Sequence, residues 1–183
     1  MKTIIGIAGS IRAGSFNAAL LRAAAEVAPA GCTVEIASIK EIPLYDSDLE
    51  ANEGIPDAVT QLKDRIADAD GLLLVTPEYN NSLPGVLKNA IDWLTRPAAD
   101  IPRVFGDKPV AIMGATPGTG ATRLAQAAWL PVFRAVGAKV WFGGILYVPG
   151  ARKVFDGSGT LVDEAIRERL QRYMANFAAS IAS

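Results

Sequence analysis

What this 183-residue sequence lacks narrows its chemistry first. It contains no histidine, which removes the Ser-His-Asp and Cys-His nucleophilic devices and nearly all zinc chemistry. Its single cysteine, Cys32, permits no internal disulfide. Lying beside Gly31 at the head of an expected strand, Cys32 reads as a small buried hydrophobe rather than a reactive thiol. No stretch approaches the roughly 20 apolar residues of a membrane span. Neither sign of charge dominates: the formal net charge is -1, which offers nothing to nucleic acid or to an acidic membrane surface. A small ligand is the expected partner. The first residues are too often interrupted, by Gly6, Gly9, Ser10 and Arg12, to read as a signal peptide, and a cytoplasmic location is expected.

What is present alternates. Half of the residues are apolar and a fifth are charged, enough for one domain over 1–183 with a substantial core. The apolar periodicity switches between short strands and longer helices, a βαβ pattern throughout. Strands are expected at 3–8, 33–39, 72–75, 110–113 and 139–148, the last broken by Gly143-Gly144, where a bulge is expected. The run 72–75 is continuous and apolar, as for a parallel strand covered on both faces. The second strand, with Val34 and Ile36 on one face, reads as nearer a sheet edge. Helices are expected over 17–28, from Ile55 to about Asp70, from Pro84 with Ser82 as cap, over 124–136, and from about Val162. Pro131 is expected to kink or interrupt the fourth of these, which holds Leu124, Ala128, Val132, Ala135 and Val136 and also Trp129 and Phe133. Glu41 to Gly54 reads as a long loop. Trp93, Trp129 and Phe133 exceed what a single core stripe needs, so a subunit contact stands beside core packing as their reading.

Three strand-to-helix junctions carry the chemistry. The first, Gly9-Ser10-Ile11-Arg12-Ala13-Gly14-Ser15-Phe16-Asn17, combines glycines, hydroxyls and an arginine before an Ala/Leu-rich helix. Backbone N–H groups and the positive helix end converge there, a setting for phosphate. The second, Thr76 to Gly85, fences Glu78-Tyr79-Asn80 between Pro77 and Pro84, a stiff loop suited to hold a flat heterocycle by its edge, with Tyr79 to stack on it. The third, Gly114-Ala115-Thr116 and onward, is rich in small residues that let a planar ring approach the backbone. In an open parallel sheet of order 2-1-3-4-5, ligands sit outside the carboxyl ends of strands one and three, and the first two junctions are those ends.

The first junction, together with Pro77-Glu78-Tyr79-Asn80 and Pro84-Gly85-Val86-Leu87-Lys88-Asn89-Ala90-Ile91-Asp92-Trp93-Leu94, closely resembles the NAD(P)H-dependent FMN reductases, including the bacterial quinone and chromate reductases. The match extends over nearly the whole chain. The resemblance implies a flavodoxin-like, three-layer α/β/α sandwich around a five-stranded parallel sheet of order 2-1-3-4-5. It implies FMN as cofactor, with Ser10, Arg12, Ser15, Phe16 and Asn17 at its phosphate, Pro77, Glu78, Tyr79 and Asn80 at its ring, and Gly114, Ala115 and Thr116 at the ring's other edge. NADH or NADPH is then the co-substrate, and quinones, chromate, azo compounds or free flavin the acceptors. The cofactor carries the hydride chemistry in a two-step exchange, so no residue is expected to act as a catalytic acid and no metal is expected. A homodimer or homotetramer is expected. Two departures stand out: Asn81 occupies a position that is often aromatic, and Pro117-Gly118-Thr119-Gly120-Ala121-Thr122 replaces the usual glycine pair before arginine. The competing readings are a flavodoxin-type electron carrier, for which a net charge of -1 is a poor fit, and a flavin-binding interaction module.

Overall fold

The computed structural model describes residues 1–181. Its strands are β1 (Lys2–Ala8), β2 (Cys32–Ala37), β3 (Gly71–Val75), β4 (Pro109–Ala115), β5 (Lys139–Val140) and β6 (Leu146–Val148). The helices are α1 (Phe16–Glu26), α2 (Ser47–Glu53), α3 (Asp57–Asp68), α4 (Gly85–Leu94), α5 (Ile101–Phe105), α6 (Arg123–Ala135), α7 (Ala151–Val154) and α8 (Glu164–Ser180). These strands pair in parallel, in the order β2-β1-β3-β4-β5, with β6 also paired to β4.

Successive residues of a strand point to opposite faces, and the core divides accordingly. Ile4, Leu73, Val75, Ala111 and Met113 face α1 and α8 with Leu20, Leu21, Leu170 and Phe177. Ile5, Ile7, Leu72, Leu74 and Val110 face the other way, with Val59, Leu62, Ile66, Leu87, Ile91 and Phe105. Each fully buried side chain of this size contributes about 1.5–3 kcal/mol, so both faces must be covered, and the three-layer expectation holds. Cys32 is half-buried against the first face, and burial pushes its thiol above the ordinary value.

Several elements differ from the sequence reading. The expected fifth strand is two short ones. β5 pairs with Pro109 and Val110, and β6 pairs with Met113 to Ala115. Between them the Trp141 indole lies so close to Gly143 and Gly144 that a Cβ on either would come within 2.8 Å of it. Trp141 itself packs edge-on against Tyr173 at 5.1 Å. The 41–54 stretch is not all loop: Asp46 caps α2 through Asp48 N–H at 2.8 Å. The helix is then tied down by Glu50, which accepts from Arg96 Nε at 2.9 Å and from the Tyr45 hydroxyl at 3.0 Å.

Ser82 is not the cap of α4, because Pro84 occupies that position without a side-chain bond. Pro131 lies inside an unbroken α6; the carbonyl it leaves without a donor, that of Ala127, belongs to an exposed residue open to water. The buried stripe of α6 is Ala125, Gln126, Trp129 and Phe133, while Leu124 is 52% exposed. Ile36 faces solvent, as an edge strand permits. Trp93, Trp129 and Phe133 are fully buried within the chain, and the two indole N–H groups find internal acceptors in Pro43 C=O at 2.9 Å and Thr76 Oγ1 at 3.0 Å. They are core, and none is available to a neighbouring subunit.

Candidate functional site

β1 ends at Ala8 in the middle of the sheet, and the chain then turns toward α1 through residues 9–15. Gly9 is required there, since a Cβ would lie 2.6 Å from Leu87 Cδ2 and 2.8 Å from Pro77 Cδ. Its absence lets the first and second loops touch. Ser15 is the N-cap of α1 and accepts from Ala18 N–H at 3.2 Å, which leaves its own hydroxyl proton to donate. The backbone N–H groups of Ser10, Ile11, Arg12, Ala13, Gly14, Phe16 and Asn17 have no backbone acceptor among the described residues. Two of these donors, Phe16 and Asn17, belong to the positive end of the 11-residue α1 and five lie in the loop leading into it, a setting for an anion. Arg12 adds a full charge. Its guanidinium lies 5.3 Å from the centroid of Phe16, and it is in no ion pair among the described residues.

Asn17 joins this loop to the third. Its amide nitrogen donates to Ala115 C=O at 3.0 Å and its amide oxygen accepts Ala115 N–H at 2.9 Å, both buried. One amide hydrogen remains for a ligand, but the side chain first holds the end of β4 against α1.

The second loop is a tight hairpin. Tyr79 and Ser82 exchange backbone bonds of 3.1 and 3.0 Å, with Asn80 and Asn81 at φ 50° and 62° between them. Two successive left-handed residues define the hairpin turn that asparagine and glycine favour. Asn81 therefore serves a backbone role. Tyr79 is 46% exposed, its ring free to meet a ligand.

Glu78 is held by helix α6. Its Oε2 accepts Leu124 N–H at 2.9 Å and Ala125 N–H at 3.1 Å, a charge-assisted cap that also meets the positive helix end. Beneath the loop, the Thr76 hydroxyl donates to Pro77 C=O at 2.8 Å and accepts from Trp129. In the third loop, a Cβ on Gly114 would lie 2.1 Å from the Thr76 carbonyl oxygen, so only glycine allows β4 to run this close. Ala121 and Thr122 then enter α6 at φ 53° and 65°.

The three loops line one cleft of about 210 Å³. Ser10, Arg12, Ser15, Phe16 and Asn17 form its first wall, Pro77, Glu78 and Tyr79 its second, and Ala115 and Thr116 its third. Of the expected site residues, Asn80 and Gly114 do not line it. Asn80 shapes the turn and Gly114 sets the spacing of two strands. The sequence reading missed the capping of α6 by Glu78, the Asn17–Ala115 clasp and the Trp129–Thr76 bond. Only the Asn80-Asn81 pair carried a local signal, since both residues tolerate the left-handed region; the other links join positions far apart in the chain. Among the described residues no group of histidine, cysteine and carboxylate side chains is placed to hold a metal ion, and no helix is long and apolar enough to cross a membrane.

Comparison with known proteins identifies the family. Residues 2–153 match the family model described as NADPH-dependent FMN reductase. The chain is 40% identical over 171 residues to an NAD(P)H-dependent FMN reductase of Pseudomonas aeruginosa, covering 93% of this chain and 90% of that one. It is 39% identical to a 2-hydroxy-1,4-benzoquinone reductase of a Burkholderia species, covering 94% and 92%. Among solved structures, the flavoenzyme NAD(P)H:(acceptor) oxidoreductase FerB of Paracoccus denitrificans superposes with a TM-score of 0.87 at 34% identity, covering 99% of this chain and 97% of that one. The chain belongs to the NADPH-dependent FMN reductase family.

Proposed function

We propose that this protein binds FMN in the cleft and transfers reducing equivalents from NADH or NADPH to quinones or other small acceptors. The observation that carries the reading is the set of seven unpaired backbone N–H groups beside an unpaired arginine, which fits a phosphate dianion, facing an exposed tyrosine ring that fits a flat heterocycle. When bound, FMN supplies the hydride-accepting and electron-donating chemistry.

The chain's own residues position and tune. The N–H groups of Ser10 to Gly14, Phe16 and Asn17, with the Ser15 hydroxyl and Arg12, hold the phosphate; a hydrogen bond to a charged group contributes roughly 1.5–3 kcal/mol. Pro77, Glu78 and Tyr79 present the ring-binding edge, with Asn80 shaping their turn, and Ala115 and Thr116 present the opposite one, with Gly114 setting its distance. Asn17 and Glu78 fix the three loops relative to one another, so the site is formed before the ligand arrives. An acceptor recognised mainly by stacking needs little else from the protein, which suits a range of quinones. The name of one relative, a 2-hydroxy-1,4-benzoquinone reductase, supports this substrate class.

In this reading residues 1–183 act as one FMN-binding domain, in the cytoplasm, and assemble as a homodimer or homotetramer. The aromatic residues first considered for the assembly are internal, so the contact falls to exposed apolar side chains such as Phe142 and Ile145. Light scattering on the eluting protein tests that point. The central test is the visible spectrum after reconstitution with FMN and desalting, followed by NADH and NADPH oxidation with a benzoquinone present. Retained flavin absorbance and quinone-dependent oxidation are expected; a colourless protein that takes up no FMN overturns the proposal.

A further inference from the structure

A second cavity adjoins the cleft: it begins at Ala13, Gly14, Ser15 and Phe16 of the loop given to the FMN phosphate and extends beyond it to residues with no part in the FMN reading. It measures about 480 Å³, against about 210 Å³ for the cleft, and Ser15 and Phe16 line both. It opens between the start of α1 and the segment that follows α7. Its walls carry two arginines, Arg22 of α1 and Arg152 of α7. Both are exposed, and neither pairs with a carboxylate among the described residues.

The one acidic residue on the wall, Asp156, keeps its negative charge but pairs with neither arginine, since its Oδ1 is engaged by its own loop. Asp156 Oδ1 accepts from Ser158 Oγ at 2.7 Å, from Ser158 N–H at 2.9 Å and from Thr160 N–H at 2.9 Å. These bonds, the Ser158 hydroxyl foremost, hold its carboxyl below the ordinary value. They also stiffen the turn that carries Gly159, where a Cβ would come within 2.8 Å of Arg22 Nη2 at a φ of 83°. The missing side chain leaves room for the guanidinium. Ala19 and the Phe16 and Phe155 rings, 6.1 Å apart, complete an apolar side.

We propose that this cavity is a subsite for the adenylate half of FAD, so that the flavin site accepts FAD as well as FMN. The inference rests on the reading that the first loop holds the flavin phosphate. A ligand whose phosphate lies against Ser15 and Phe16, and which continues beyond it, has this cavity as its continuation. The volume falls in the range of about 300–1,000 Å³ typical of small-molecule sites. Two guanidinium groups in no ion pair outweigh the single Asp156 charge on the wall and suit the second phosphate of a pyrophosphate, and the apolar side suits a purine ring. The adenosine of NADPH is the other source of an adenosine phosphate. The flavin is preferred because the cavity begins at the flavin phosphate loop rather than beside Tyr79.

The test titrates flavin-free protein with FMN and with FAD by calorimetry, for the wild type and for R22Q/R152Q, with mass analysis to show that bound FAD is intact. Both flavins are expected to bind the wild type. The double variant is expected to keep its FMN affinity and to lose FAD affinity by roughly ten- to a hundredfold. Binding of FMN without FAD overturns the inference and leaves the FMN reading standing, whereas failure to bind either flavin overturns both. An equal loss for the two flavins, or an unchanged FAD affinity, also overturns it. So does a rise in the KM for NADPH with FAD affinity unchanged, which assigns the cavity to the pyridine dinucleotide.

Discussion

The loops after β1 and β3 follow neighbouring strands and lead into helices on opposite faces of the sheet, yet they treat their polar groups in opposite ways. The first leaves seven backbone N–H groups without backbone acceptors. The second closes on itself: Tyr79 and Ser82 pair, Glu78 is taken by α6, and Thr76 is taken by Trp129 and Pro77. Open donors with an unpaired arginine can bind an anion. A closed hairpin has few backbone groups left, and offers instead a rigid surface and a ring. Glycine and serine produce the first condition, since they turn without supplying acceptors of their own in the right place. Proline and paired asparagines produce the second. The two loops are therefore an anchor and a platform, and the links between them decide whether they act as one site.

Breaking the spacing between the walls has the largest expected effect. Gly114→Val places a Cβ against a backbone carbonyl at 2.1 Å, which no rotamer change relieves. A loss of about 3 kcal/mol or more is expected, seen as a lower melting temperature together with loss of FMN retention on desalting. Gly9→Val is the milder counterpart, because the atoms it meets belong to the Leu87 and Pro77 side chains, which can shift. If the two variants prove equally damaging, the third wall is not the tighter constraint.

Next comes the anchor alone. Arg12 is exposed and unpaired, so Arg12→Ala should change stability by no more than about 0.5 kcal/mol while weakening FMN binding roughly ten- to a hundredfold. Calorimetric titration and thermal melting read the two quantities separately. Unchanged affinity would place the phosphate elsewhere.

Glu78→Gln sharpens the comparison from the platform side. The variant keeps an acceptor for Leu124 and Ala125 N–H but loses the charge facing the positive end of α6. A destabilisation of about 0.5–1 kcal/mol is expected, and Glu78→Ala should cost about 1–2 kcal/mol. FMN affinity should fall less than in Arg12→Ala. A larger fall would mean that the carboxylate touches the ligand directly, besides capping the helix.

Most of the architecture was legible because burial on both faces leaves a plain mark: the runs at Ile4-Ile5 and Leu72 to Val75 could only be central strands, and the three loops follow from where such strands end. What was not legible lacked that mark. Helix α2 has no buried residue, so it shows no apolar stripe, although Asp46 is an ordinary capping residue. The split of the last strand depends on where the Trp141 ring lies, and the buried face of α6 on Trp129 reaching Thr76 across 53 positions. Within the site, residue types predicted the ligand chemistry better than the roles of single side chains. The resemblance assigns Asn17 and Glu78 to the ligand, whereas their bonds in the structure are to Ala115 and to the start of α6.

The smallest effect concerns the hairpin's own turn, where backbone shape can be separated from side-chain chemistry. Asn81 sits at φ 62°, a conformation that costs an ordinary residue about 1–2 kcal/mol and glycine almost nothing. Asn81→Ala should therefore lower stability by about 1 kcal/mol, whereas Asn81→Gly, which creates the Asn-Gly pair that this turn favours, should leave it within about 0.5 kcal/mol of the original. Thermal melting of the two variants measures the difference, and FMN titration shows whether the platform keeps its shape. If glycine is as harmful as alanine, the amide of Asn81 rather than its backbone angle holds the hairpin, and the platform depends on side-chain bonds after all.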